Sequence, residues 1–257
     1  MNGSGRTTAQ SRLWSRLVQI AFLAALLLLW FLATNVWGVS RILLPKPANV
    51  WDQLLNVLGS GAFIPDLRVT LGELVAAFAI SMSLGVSLGY AISRSQYLIR
   101  VFEPLLAAIY AIPIILFLPL YVMSFGLGPN SKIALGATIS FFPIVLSTIA
   151  GFGHVDRTLQ TAARSMGASD LQMFRHVLLP AALPVVLAGL RMGFTVALLS
   201  VIASETIASF AGLGHRIVDL AENMDTARMF AYIVFVIAIV AFLNAVVSKL
   251  EGRARWR

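Results

Sequence analysis

Long apolar runs separated by short polar intervals dominate the chain. From Leu17 to Trp37 no charged residue occurs, and at 1.5 Å per residue such a run reaches about 30 Å, the thickness of bilayer hydrocarbon. A cleaved leader has a shorter apolar core of about 7 to 15 residues ending in small residues. This run ends in Asn35, Val36 and Trp37, so it reads as a retained first span. Further runs follow at about Arg68–Ser93, Phe102–Met123, Ile133–Phe152, Pro184–Ser204 and Met229–Val247. The pattern predicts an all-α polytopic membrane protein of six helices, a single membrane domain over 1–257.

The intervals between the runs carry their own signals. In 41–67, Pro45 and Pro47 interrupt helix, and Asn49 can cap a short one that turns Val50, Trp51, Leu54, Leu55 and Leu58 to one side, as an interfacial helix would. The second span contains Gly85 and Gly89, a small-xxx-small spacing that admits a close helix neighbour and offers a face for pairing two copies of the chain. Pro104, Pro113 and Pro119 predict that the third span is kinked or locally unwound. Gly126, Gly128, Pro129 and Asn130 mark the turn that follows, which runs to Lys132.

The polar interval His154–Pro184 is the most structured. Asp156 can cap a first helix whose Leu159, Ala162, Ala163 and Met166 form a narrow apolar face opposite Arg157, Gln160 and Arg164. Gly167 stops it as a C-cap, a position that calls for positive φ. Ser169 with Gln172 three residues on is a capping box for a second helix, which carries Leu171, Phe174 and Leu178 until Pro180 and Pro184 bend the chain into the next span. The interval predicts an amphipathic hairpin over 154–178 between the fourth and fifth spans.

Composition agrees with membrane residence: 59% of the 257 residues are hydrophobic and 12% charged, with a mean hydropathy of +0.87. The absence of cysteine removes disulfide and thiolate chemistry. A net charge of +8 would suit nucleic acid, but the cations stand singly at the ends of apolar runs and form no stripe, so they read as orientation signals. Six spans put both termini on one side, and that side, with the 154–178 loop, collects thirteen of the Lys and Arg residues against six opposite. The segment 1–16, the hairpin and the tail 248–257 are therefore expected in the cytoplasm.

Catalytic signatures are missing. There is no GxxxxGK[ST] loop, so no nucleotide site of its own is expected, and no catalytic constellation is found. His154, His176 and His215 read as single histidines in loops without metal-ligand spacing, so neither a metal nor a cofactor is expected. Charges inside apolar runs are costly and therefore informative. Glu73, one turn into the second span, Arg191 in the first half of the fifth and Glu205 at its far end are candidate pathway or helix-pairing charges, and Arg191 reads as the deepest.

Thr161-Ala162-Ala163, then Gly167, then Val177-Leu178-Leu179-Pro180 reproduce a spacing that resembles the E-A-A-x3-G-x9-I-x-L-P loop of permease subunits of bacterial ABC importers, with Thr161 where that loop has glutamate. Ile112-Pro113, Leu118-Pro119-Leu120, Phe141-Phe142-Pro143, Gly189-Leu190-Arg191, Ala203-Ser204-Glu205, Gly212-Leu213-Gly214 and Leu250-Glu251 extend the likeness to the nitrate, sulfonate and taurine branch, which includes transporters of thiamine-precursor pyrimidines. Glu73 departs from that branch, whose sulfonate-type members often carry arginine there.

The resemblance implies a homodimeric translocation pathway for a small anion-like solute, in the cytoplasmic membrane and in contact with its lipid. A separate cytoplasmic ATPase would drive it and an extracytoplasmic solute-binding protein would feed it. It makes the hairpin a coupling element, with Leu159, Thr161, Ala162, Ala163, Met166, Gly167 and Pro180 as docking residues. A secondary transporter would instead show paired broken helices in related halves, and a non-transporting scaffold would need no ordered hairpin.

Overall fold

A backbone that cannot hydrogen-bond to lipid must satisfy itself within a helix, and every apolar run of this chain does so in a computed structural model. It describes residues 4–255, apart from the side chains at 4–13, 15, 16, 23, 157, 250 and 253–255. The expected cytoplasmic segment 1–16 therefore lies largely outside the described residues, as do the side chains of Arg157 and Leu250 and the end of the 248–257 tail. The elements are α1 (Ser4–Asn35), α2 (Pro47–Ser60), α3 (Ile64–Ser93), α4 (Gln96–Tyr110), a 3-10 turn (Ile114–Phe117), α5 (Leu118–Phe125), α6 (Pro129–Gly153), α7 (Arg157–Ser165), α8 (Asp170–Met173), a π-helical turn (Phe174–Leu178), α9 (Leu179–Ile207), α10 (Leu213–Glu222) and α11 (Thr226–Arg255). Among the described residues five helices are long and apolar enough to cross a bilayer, and α4 with Ile114–Phe125, bent by 70°, makes a sixth when that pair is counted as one span. The expected break thus falls at Ala111–Pro113.

The described chain divides into two compact units. One holds 1–61 and 219–234. Within it Trp30 Nε1 donates to the Pro45 carbonyl at 3.0 Å, the Trp30 and Phe230 rings lie 6.1 Å apart, and Thr226 Oγ1 donates to the Arg41 carbonyl at 3.3 Å. Here α2 begins earlier than expected, with Lys46 as N-cap in place of Asn49. Pro47 takes the first turn, where a missing N–H costs nothing.

The other unit holds 62–218 and 235–257 and is built on α3, α6 and α9. Its main core gathers Ile92, Ile99, Leu106, Leu135, Phe142, Val145 and Ile149. Close approach rests on glycine. A Cβ at Gly85 would meet Ile144 at 2.8 Å, one at Gly89 would meet Thr148 at 2.6 Å, and one at Gly193 would meet Ile144 at 2.5 Å. This corrects the expected pairing role of Gly85 and Gly89, which face α6 of their own chain. The spacing announces a close neighbour but carries no information about which helix that is.

The prolines after the hairpin do not end the helix. Helix continues from Asp170 to Ile207 without a break. The Leu179 amide reaches back to the Phe174 carbonyl across the π-helical turn, and that wider turn leaves room for Pro180 at the start of α9. His176 and His215 likewise lie in helical segments rather than loops.

Candidate functional site

The hairpin closes through local hydrogen bonds that its sequence encodes. The Asp156 carboxylate accepts from the Thr158 amide at 2.8 Å, and this bond holds its carboxyl below the usual range. At the other end of α7 the Gly167 amide donates to the Arg164 carbonyl at 2.9 Å and the Ala168 amide to that of Ala163 at 3.0 Å. With Gly167 at φ +79° this is a Schellman closure. Ser169 and Gln172 then exchange both bonds of a capping box, Ser169 N–H to Gln172 Oε1 at 2.9 Å and Gln172 N–H to Ser169 Oγ at 3.4 Å. Tyr90, Phe152 and Phe174 seat the hairpin on the bundle, with ring centroids 5.0 to 6.1 Å apart.

The expected docking residues do not share one face. Leu159 (53% exposed), Ala162 and Met166 (82%) face outward, Ala163 (5%) packs inward, Gly167 is exposed with nothing near its Cβ direction, and Pro180 is exposed farther along. Thr161 stands on the other side of α7 with Gln160 and Arg164, where the three line a cavity of about 420 Å³ together with Arg94, Gln96 and Asp170.

Within the bundle the three expected charges are all used to join helices. Glu73 lies more than two turns into α3, because that helix starts at Ile64. Its carboxylate pairs with Lys132 Nζ of α6 at 2.7 Å, each side chain 3% exposed. Lys132 also donates to Ser209 Oγ at 2.6 Å, and Ser209 Oγ donates to the Ala211 carbonyl at 2.6 Å. Lys132 was expected in a turn, and sequence reasoning missed it as a buried partner. Glu205 at the end of α9 accepts from Thr70 Oγ1 at 2.7 Å and from the Gly214 amide at 2.8 Å, while the Leu213 amide donates to Thr70 Oγ1 at 3.0 Å. The carboxylate thus caps the start of α10, where the helix dipole favours an anion. Gly212 (φ +108°) and Gly214 lie so close to Glu205 that a Cβ at either would collide with its side chain.

Arg191, by contrast, is not the deepest charge. It is 49% exposed and pairs with Glu251 of α11 at 3.4 Å. The Ala111–Pro113 break opens a second cavity of about 400 Å³, lined by Tyr110, Pro113, Ile139, Leu199, Ser200 and Ala203. Pro113 lacks the amide that would continue the ladder, so the span breaks where α9 passes.

Residues 81–256 match the family described as binding-protein-dependent transport system inner membrane component. The taurine transport system permease protein TauC of Escherichia coli (strain K12) is 34% identical over 231 residues, which cover 88% of this chain and 84% of TauC. The formylaminopyrimidine transport permease protein ThiX of Halalkalibacterium halodurans is 29% identical over 242 residues, covering 94% of this chain and 96% of ThiX. Among solved structures, an amino acid ABC transporter with histidines superposes with a TM-score of 0.62 at 25% identity, covering 79% of this chain and 97% of that one.

Proposed function

We propose, for a chain that belongs to the family of binding-protein-dependent transport system inner membrane components, that it forms one half of a homodimeric pathway for a small sulfonate-like anion. It is an ABC importer permease. In this reading the chain works as a single membrane domain, 1–257, in the inner membrane with both termini and the hairpin in the cytoplasm, as the thirteen to six division of cations supports. A separate ATPase supplies the energy, since the chain carries no phosphate-binding loop of its own, and a solute-binding protein delivers the substrate.

The observation that carries the coupling role is the unbroken helix from Asp170 to Ile207. The hairpin docks through the outward Leu159, Ala162 and Met166 and is closed by the Asp156 cap, the backbone bonds at Gly167 and the Ser169–Gln172 capping box. Because α8 continues into α9, a push on the hairpin moves the helix that borders the cavity at the Ala111–Pro113 break. A rigid element of this kind is what a two-state transition needs.

The likeness to TauC supports a sulfonate such as taurine. Glu73 does not oppose an anionic solute, because Lys132 neutralises it at 2.7 Å. The likeness to ThiX favours a second reading, a pyrimidine solute. Uptake of labelled taurine into proteoliposomes holding the permease, its ATPase and its binding protein tests both, with unlabelled alkanesulfonates and aminopyrimidines as competitors. ATP-dependent uptake blocked by sulfonates is expected. Absence of taurine uptake where a labelled aminopyrimidine is taken up rejects the sulfonate class, and ATP-independent uptake rejects the importer.

A further inference from the structure

Three helices of the bundle end beside the inner side of the hairpin: α3 stops at Ser93, α4 starts at Gln96 and α6 stops at Gly153. Between them and α7 lies the cavity of about 420 Å³, a volume within the range of small-molecule sites. Its walls are tied in place. Gln96 Nε2 donates to the Gly153 carbonyl at 3.4 Å, and Gln160 Nε2 to the Val155 carbonyl at 3.1 Å.

The lining carries two guanidiniums, Arg94 and Arg164, against one carboxylate, Asp170. Neither arginine side chain has a hydrogen bond or ion pair among the described residues, and neither does that of Asp170. The cavity therefore holds a net positive charge with no protein group to answer it. Arginine forks match phosphate oxygens in geometry as well as charge, and a basic pocket between membrane helices is a recurrent seat for a phospholipid headgroup. Next to the lining residues Gln96 and Asp170 stand Tyr97 and Leu171, each 74% exposed. An aromatic and an apolar side chain in that position suit the boundary between headgroups and acyl chains.

We propose that this cavity binds a phosphate-bearing anion through Arg94 and Arg164, and that the membrane supplies it as the headgroup of an anionic phospholipid. The lipid would then brace the hairpin from its inner side, behind the outward face of Leu159 and Met166. The proposal stands whether or not that face docks an ATPase, because the binding is a property of the permease alone.

The test uses the full-length permease purified in mild detergent, with native mass spectrometry counting bound lipid as phosphatidylglycerol is titrated. Phosphatidylcholine, whose headgroup has no net charge, is the reference. R94Q/R164Q should weaken phosphatidylglycerol binding about 30-fold, roughly fivefold for each arginine near a charged headgroup. R94K/R164K should retain most of the binding, R100Q on α4 outside the cavity should retain all of it, and D170N should tighten it about fivefold by removing the opposing charge. Equal affinity for the two lipids, or equal affinity in wild type and R94Q/R164Q, overturns the site. Should R94Q/R164Q fail to fold, D170N decides alone, because a merely structural aspartate would not tighten lipid binding when neutralised. Displacement of phosphatidylglycerol by millimolar inorganic phosphate would uphold the phosphate site but reject the lipid as its source.

Discussion

Replacing Lys132 by methionine isolates the interaction that joins α3 to α6 most tightly. The residue is 2% exposed, and its ammonium lies 2.7 Å from Glu73 and 2.6 Å from Ser209. Methionine preserves the apolar stem, so the variant removes charge without opening a large cavity. What remains is a Glu73 carboxylate, 3% exposed, whose Oε2 already has no hydrogen-bond partner. Removing one member of a buried ion pair costs about 3 to 5 kcal/mol, and loss of the Ser209 bond adds about 1 kcal/mol. The double variant Glu73→Leu, Lys132→Met removes both charges and should return to within about 1 kcal/mol of wild type, since an apolar pair can replace a buried ion pair at little cost. A double-mutant cycle in mixed micelles, with unfolding by denaturing detergent followed through tryptophan fluorescence, measures the coupling. We expect at least about 3 kcal/mol. A Lys132→Met protein within about 0.5 kcal/mol of wild type, below the noise of additivity, would show that the pair is not buried as described.

Gly167→Val should leave the protein in the membrane yet reduce both ATPase co-purification and solute uptake. At φ +79° a Cβ costs about 1 to 2 kcal/mol with no neighbour to clash, and wild-type values for both would make the hairpin a passive connector. Thr161→Ala, on the cavity side of α7, should do less in the same assay, and a loss as large as that of Gly167→Val would place Thr161 in the docking surface. Gly89→Leu should abolish stable accumulation of the chain, because its side chain would enter the space of Thr148 and the Val145 carbonyl. Normal membrane levels of that variant would contradict the α3–α6 packing. Reporter fusions at Gly252 and Asn130 should report cytoplasmic and periplasmic positions respectively, and a periplasmic signal at Gly252 would overturn the orientation.

What could be read in advance was local, and what was missed depended on distant partners. The hairpin was legible because each of its bonds spans five residues or fewer: Asp156 to Thr158, Gly167 to Arg164, Ser169 to Gln172. The spans were legible because hydrocarbon leaves the backbone one option. Lys132 follows a Gly-Pro-Asn turn signal and looks like a loop cation. Glu73, 59 positions earlier, and Ser209, 77 positions later, turn it into a core residue. Gly212 and Gly214 could be quoted as a family pattern, but their physical reason is the approach of the Glu205 side chain, which no local rule contains. At Pro180 the chain stays helical because a single widened turn precedes it.

The same widened turn decides how far a motion at the hairpin can travel. Had the chain broken at Pro180, α7 and α8 would form a lever on a loose joint, and a displacement would die out in the loop. Unbroken, the 38 residues from Asp170 to Ile207 make a rod of about 57 Å. This rod is not free to turn on its own, because Gly189 and Gly193 press it against Ser147, Ile144 and the Ser140 carbonyl of α6. Under the proposed coupling, movement would be a shared shift of α6 and α9, with the contacts at the far end yielding. There Glu205 holds Thr70 and Gly214 through hydrogen bonds, about 0.5 to 1.5 kcal/mol each. Bonds of that size hold the loop from 208 to 212 on the bundle, yet lie within the several kcal/mol that reversing a two-state equilibrium requires, which the proposed ATPase would deliver. In the proposed coupling, the buried network and the surface hairpin are the two ends of one helical element, so a change imposed at the hairpin would be felt at Glu205.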